Sequence, residues 1–229
     1  EGSRAEGEEL GTDGGDILMK VLFCSSEVFP FAKTGGLADV AGALPLALGE
    51  KGVEVKVVMP LYKCVKPPKK LNAEWGSIPL HKNVELILIR NDRYFMREGL
   101  YGSREGDWPD NLERFALYCR KTLEVAQKLN FKPDIVHIND WQAALMAVYL
   151  KTLKMPFYNK SKCMLTIHNL AYQGVFSADQ FSRIGVDPRY FSMDYFEFYG
   201  KINLLKSGIV FSDLVTTVDI HVCGFCDDH

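Results

Sequence analysis

The sequence predicts an α/β fold, a parallel sheet with helices on both faces. Two observations carry this. Predominantly apolar runs without strict alternation, near Lys20–Cys24, Val53–Met59, Val84–Arg90, Asp134–Asn139, Lys162–His168 and Asp213–Val218, alternate with segments of helical spacing. Strands buried on both faces read this way. Polar residues also stand at or just past the ends of three of these runs: Lys33 with Gly35 and Gly36, His137 with Asn139 and Asp140, and His168 with Asn169. Open α/β sheets bind ligands beyond the carboxyl ends of their strands, at the switch point of the winding order. Three runs therefore bring chemistry to one sheet edge.

In chain order, residues 1–18 are acidic and Gly-rich and read as a disordered tail, with Met19-Lys20 as a natural start. No signal-peptide pattern precedes the first strand. After that strand comes Lys33-Thr34-Gly35-Gly36-Leu37-Ala38-Asp39-Val40, whose apolar residues continue at Ala41, Leu44, Ala47 and Leu48 with helical spacing. The helix is expected from Leu37 to about Lys51, with a kink near Ala41 caused by Pro45. Unpaired N–H groups at a helix start, two glycines without side chains and the adjacent Lys33 make an anion cradle, suited to a phosphate. A plain turn is the competing reading. The cradle is not a P-loop, because the lysine precedes the glycines, and it lacks the G-x-G-x-x-G and distal acid of a dinucleotide site.

Lys66-Pro67-Pro68-Lys69-Lys70 reads as a solvated loop. The stretch 91–110 is expected to be a long polar-aromatic loop of functional or mobile character. Asp110 or Asn111 should cap a helix running to about Leu129, and a further helix should follow Asp140-Trp141 to about Thr152. Helical pieces are expected from the loop AYQGVFSADQF to Ser207. The aromatic cluster FSMDYFEFY, 191–199, reads as packing for the helix after it.

The 229 residues, 47% of them hydrophobic, are enough for one large core or two small ones. A net charge of −2 gives no electrostatic reason to expect nucleic acid as a partner, and no apolar run approaches the roughly 20 residues of a membrane span. Of the six cysteines, Cys24, Cys64, Cys119 and Cys163 have no framework spacing and read as free buried thiols of a reducing cytosol. The ending His221-x-Cys223-x-x-Cys226-x-x-His229 has zinc-ligand residue types but only one C-x-x-C, so no metal is assigned.

The stretches VLFCSSEVFPFAKTGGLADVAGALP, REGLYG, DNLERFALYCR, DIVHINDWQAAL, TIHNLAYQGVF, FEFYGKINLLKSGIVFSD and LVTTV together resemble the glycogen and starch synthase family, on its bacterial side, from about Met19 to Val218. The resemblance implies the Rossmann-like N-terminal half of a GT-B glycosyltransferase. It also implies transfer of glucose from ADP-glucose to an α-1,4-glucan, glycogen or starch, with retention, in the cytoplasm or in a plastid. Lys33, Gly35 and Gly36 would approach the donor phosphates, and Asp39 would lie near glucose or acceptor. His168 and Asn169 would contact the glucosyl unit, Asp140 and Trp141 would shape the glucose and glucan end, and Tyr101 would offer an aromatic surface to the acceptor. His168, Asp140 and Asp39 are the implied catalytic group, polarising and positioning without forming a glycosyl intermediate.

Plainer readings stand beside these. Trp141 at a helix start suits core packing, His137 suits a satisfied core histidine, and Asp39 suits a charge favourable to the helix start. No D-x-D pair is present to hold a metal against a diphosphate, and no cofactor beyond the ADP-glucose substrate is implied. Residues 219–229 diverge from the family pattern and read as a truncated tail. On that reading the second Rossmann-like domain, with most of the diphosphate grip, is missing and the chain alone is inactive. A glucan- or nucleotide-binding module working with a separate partner domain is the alternative. A Rossmann oxidoreductase is disfavoured by the absent fingerprint.

Overall fold

The structure, a computed structural model, describes residues 19–218. The expectations for the two tails, including His221, Cys223, Cys226 and His229, lie outside the described residues. Eight strands form the main sheet: β1 (Lys20–Cys24), β2 (Glu54–Pro60), β3 (Lys70–Leu71), β4 (Trp75–His81), β5 (Val84–Ile89), β6 (Ile135–Asn139), β7 (Lys162–Ile167) and β8 (Leu214–Thr217). Their order across the sheet is β8-β7-β6-β1-β2-β5-β4-β3. Successive strand residues face opposite sides of a sheet, yet Leu22, Phe23 and Cys24 are all buried, so β1 is covered on both faces. That is the reason its sequence is apolar without alternation.

The winding reverses at β1. The chain leaves β1 through helix α1 (Gly36–Glu50) to pair β2 on one side, and later returns through α2 (Asn111–Lys128) to place β6 on the other. Both pairings are parallel, with Cys24 opposite Val58 and Ile138. The crevice beyond the carboxyl ends of β1 and β6 is therefore the switch point. Two short helices, α3 (Asp140–Ala143) and α4 (Leu145–Thr152), follow β6, and α5 (Leu204–Phe211) leads into β8.

Several expectations need correction. The sheet is not wholly parallel, because β4 runs antiparallel to β5 and β3 antiparallel to β4. Gly76, Ser77 and Pro79 interrupt the apolar run of β4. Pro79 is tolerated because β3 reaches only Ser77 and Gly76, which leaves the proline on a free edge beside a register shift. Asp110 stands at the start of α2 but caps nothing; its carboxylate accepts from Arg97 at 2.8 and 2.6 Å. Cys64 is exposed, while Cys24, Cys119 and Cys163 are buried, and burial pushes the Cys163 thiol up to about 12.

The long stretch 91–110 is pinned rather than loose. It contains a helical turn, Asp92–Phe95, and a hairpin of Gly102–Ser103 with Gly106–Asp107. Arg114, fully buried on α2, donates to the Tyr94 and Leu100 carbonyls and to Asn111 Oδ1. A buried guanidinium without a carboxylate is tolerable only with its donors filled, and here the folded-back chain fills them. Between β7 and α5 the expected helical pieces are 3₁₀ turns and a small antiparallel sheet of Val175–Ser177, Lys201–Asn203 and Glu197–Phe198. Within the aromatic cluster, Phe196 is buried against Phe181 and Tyr195 stacks on Phe211 of α5 at 5.3 Å, while Met193 and Tyr199 face solvent. Among the described residues, no helix is long and apolar enough to cross a membrane.

Candidate active site

A cleft of about 920 Å³ opens at the switch point. Its walls come from the loop after β1 (Glu27, Thr34, Gly35), the start of α1 (Gly36, Leu37, Val40), the pinned stretch (Tyr101, Asp107), the end of β6 with α3 (Asp140, Trp141, Gln142) and the end of β7 (His168, Asn169). Seven of the nine residues expected from the sequence thus share one cavity. Lys33 and Asp39 do not line it.

The loop after β1 is held against α1 by backbone. Phe29 donates to the Ala38 carbonyl at 3.0 Å, and a Cβ on Gly42 would come within 2.7 Å of the Phe29 carbonyl oxygen, so only glycine lets the two approach. The loop then turns Glu27 inward. Its buried carboxylate accepts from the Thr34 backbone N–H, from Thr34 Oγ1 at 2.6 Å, from Gly35 N–H at 3.4 Å and from the Tyr101 hydroxyl at 2.5 Å. Glu27 is therefore the resident anion of the predicted cradle. At Gly35 and Gly36 an added Cβ would meet nothing within 4 Å, so packing does not demand these glycines and open space faces them.

Lys33 is bound to Asp39 instead of to the cleft, with Nζ 2.7 Å from both carboxylate oxygens. Both side chains are about half exposed, and such a pair contributes about 0–1 kcal/mol, so opening it costs little. Among the described residues lining the cleft there are three acids, Glu27, Asp107 and Asp140, and no lysine or arginine.

The ends of β6 and β7 are locked together. Asp140 is buried with a φ of +53°, a left-handed conformation rare outside glycine. Its Oδ1 accepts from the backbone N–H of His168 at 2.7 Å and of Asn169 at 3.5 Å. Burial raises the Asp140 pKa to about 6 against the lowering effect of those two N–H bonds, and the Glu27 charge raises it further. His168 sits half-buried with Nε2 2.8 Å from Asn139 Oδ1, and burial lowers its pKa to about 4. His137 is a core residue. Its Nε2 meets Thr166 Oγ1 at 2.7 Å and its ring meets Phe23 edge-on, and burial together with the His168 charge lowers its pKa to about 4.

The two aromatic residues are less open than expected. Trp141 is only 8% exposed, wedged edge-on between Phe115 and Phe176. Gly174 lies so close that a Cβ there would come within 2.6 Å of the indole. Trp141 is a packed wall of the cleft with no free face for stacking. Tyr101 turns its hydroxyl inward to Glu27 and to Ser26 Oγ, 2.7 Å away, and leans its ring on Phe115.

Sequence reasoning missed Glu27 and Gln142. Glu27 stands three residues past the end of β1, nearer that end than Lys33, so the criterion of polar residues just past strand ends, applied there, finds it. Gln142, directly after Trp141, carries a buried Oε1 with no protein partner at the cleft; nothing in the local pattern marks it.

Comparison with known proteins identifies the family and the fold. The pattern of the starch synthase catalytic domain matches residues 20–223. Glycogen synthase of Geotalea uraniireducens is 42% identical, the match covering 90% of this chain and 46% of that protein. Glycogen synthase 2 of Geobacter metallireducens is 45% identical with the same shares, and glycogen synthase of Thermotoga maritima is 42% identical over 87% and 45%. This chain therefore spans about half the length of the curated relatives it matches. Among solved structures, the catalytic domain of starch synthase IV from Arabidopsis thaliana, bound to ADP and acarbose, superposes with a TM-score of 0.73 at 27% identity, over 86% of this chain and 44% of that one. The fold is that of the N-terminal half of such a GT-B enzyme, and the chain belongs to the starch synthase catalytic domain family.

Proposed function

We propose that this chain forms one wall of the active cleft of a retaining glucosyltransferase that moves glucose from ADP-glucose to the non-reducing end of an α-1,4-glucan. The observation that carries the reading is the convergence of Gly35, Gly36, Asp140, His168 and Asn169 from three strand ends on a single cleft, in a chain whose structural neighbour is described with ADP and acarbose bound.

The roles proposed rest on the resemblance, with the geometry in support. Gly35 and Gly36 let a phosphate or sugar approach the backbone at the start of α1. His168, neutral above about pH 5, and Asn169 contact the glucosyl unit, while Asp140 fixes the backbone of both. Tyr101 and Trp141 shape the acceptor side as walls. Lys33 reaches the diphosphate once released from Asp39, and Asp39 then faces the acceptor side of α1.

This wall is acidic, so it does not stabilise a departing ADP by itself. We assign that task to the part of the relatives that this chain does not match, a second Rossmann-like domain facing the same cleft. Positive side chains and helix ends there would take the place of a metal, and no cofactor is assigned. The cytoplasm is the compartment proposed.

The test compares the 229-residue chain with the same chain joined to the second half of a glycogen synthase relative. Each is incubated with labelled ADP-glucose and glycogen. The joined protein is expected to elongate glucan, and the shorter chain to work at less than a tenth of the rate of a full-length relative. Elongation by the shorter chain within tenfold of that relative overturns the half-cleft reading. Failure of a folded joined protein to use ADP-glucose overturns the activity.

A further inference from the structure

Two neighbouring residues at the end of β6 grip His168 from two directions. Asp140 Oδ1 holds its backbone N–H, and Asn139 Oδ1 meets its ring at Nε2. Asn139 is fully buried, and its amide has only one workable orientation. Nδ2 lies 3.0 Å from the Cys24 carbonyl oxygen, so that position must carry the donor. A flipped amide would set two acceptors against each other. The oxygen facing His168 is thus an acceptor, and the ring nitrogen opposite it must carry hydrogen.

We propose that Asn139 is a positioning residue that fixes His168 as the Nε2–H tautomer and leaves Nδ1 as a bare acceptor for a ligand hydroxyl. Among the described residues Nδ1 has no protein partner, and His168 lines the cleft. The fixed tautomer selects what His168 does in the proposed reaction, on which this role rests. It receives a hydrogen bond from a sugar hydroxyl and does not act as an acid, because its single proton is committed to Asn139.

The surroundings keep the ring neutral. The titratable groups around it are Asp140, which bonds its backbone, His137 behind it, whose charge it opposes, and Glu27, which acts on Asp140. Burial outweighs them and holds the His168 pKa near 4.

The test is long-range ¹H–¹⁵N correlation on the histidine-labelled full chain, with His168 assigned from a His168→Gln spectrum. At pH 7 the expected result is a protonated Nε2 and an unprotonated Nδ1, unchanged down to about pH 5. A proton on Nδ1, or a midpoint near the ordinary 6.5, overturns the proposal. Asn139→Asp places a carboxylate against Nε2 and is expected to raise the proton affinity of His168 at least tenfold; an unchanged titration in a folded variant overturns the proposal. Should that variant not fold, the wild-type spectrum still decides. ADP-glucose is then added to the wild-type chain. A shift at Nδ1 supports the acceptor role, and a shift confined to Nε2 overturns it. The correct tautomer with no response to ADP-glucose overturns the functional reading while the positioning by Asn139 stands.

Discussion

The Glu27 carboxylate accepts the hydroxyl of Thr34 at 2.6 Å and so occupies the start of α1, where the sequence alone suggested a ligand's anion. The same carboxylate takes the hydroxyl of Tyr101, tying the glycine loop to the pinned stretch across the cleft. Glu27→Ala leaves those donors without their shared acceptor. It is expected to destabilise the chain by about 1–3 kcal/mol in urea unfolding, and a change below about 0.5 kcal/mol would show that the tie carries no weight.

Gly36→Val is expected to leave folding intact, since its side chain enters open space, and to block ligand approach to α1. In the joined protein, turnover should fall with little change in melting temperature. Lys33→Ala should change stability by less than about 1 kcal/mol, as expected for an exposed pair, but raise the donor KM. Unchanged kinetics in both variants would remove this loop from the site.

His168→Ala in the joined protein is expected to lower kcat at least a hundredfold. Asn139 Oδ1 then loses its partner, so stability should also drop, by about 1 kcal/mol. A loss of several kcal/mol with activity falling only in proportion to unfolding would make His168 a structural residue.

Stability should rise with pH between about 4 and 6.5. His137 and His168 titrate near 4 when folded and near the ordinary 6.5 when unfolded, so the unfolded chain binds more protons in that window and folding gains as pH rises. Asp140, raised to about 6, acts in the opposite sense between about 4 and 6. Two histidines against one carboxylate leave a net gain. The depressed carboxylates Glu85, Asp110 and Asp213 add gains at lower pH. Urea midpoints at pH 4.5, 5.5 and 6.5 check this, and a falling series contradicts it.

The sheet was legible wherever strands are buried on both faces, because such strands are largely apolar without alternation, as residues 21–24 and 135–138 are apart from the buried His137. It was illegible at β4, where Gly76 and Pro79 break the pattern and antiparallel pairing to β5 supplies the structure instead. The site was legible where chemistry follows a strand directly, as at Asp140 and His168. Lys33 was legible only by residue type, which suggests a phosphate contact; that its Nζ rests on Asp39 in this structure is set by the fold of the loop and leaves no mark on sequence. Arg114 was invisible as the anchor of the pinned stretch, since its partners are backbone carbonyls at Tyr94 and Leu100, which leave no mark on sequence.

The central claim, that three strand ends face one ligand, is tested most directly by amide chemical shifts of the 229-residue chain titrated with ADP-glucose. Affinity is expected on the order of millimolar, since half the cleft holds the ligand. The account predicts shifts at Gly35, Gly36, His168 and Asn169 together, saturating with one common affinity. It predicts none at Lys151, Lys154 and Asn159, which line a separate pocket at the opposite end of the sheet. Shifts confined to that pocket, or separate affinities for the α1 start and the β7 end, would contradict it.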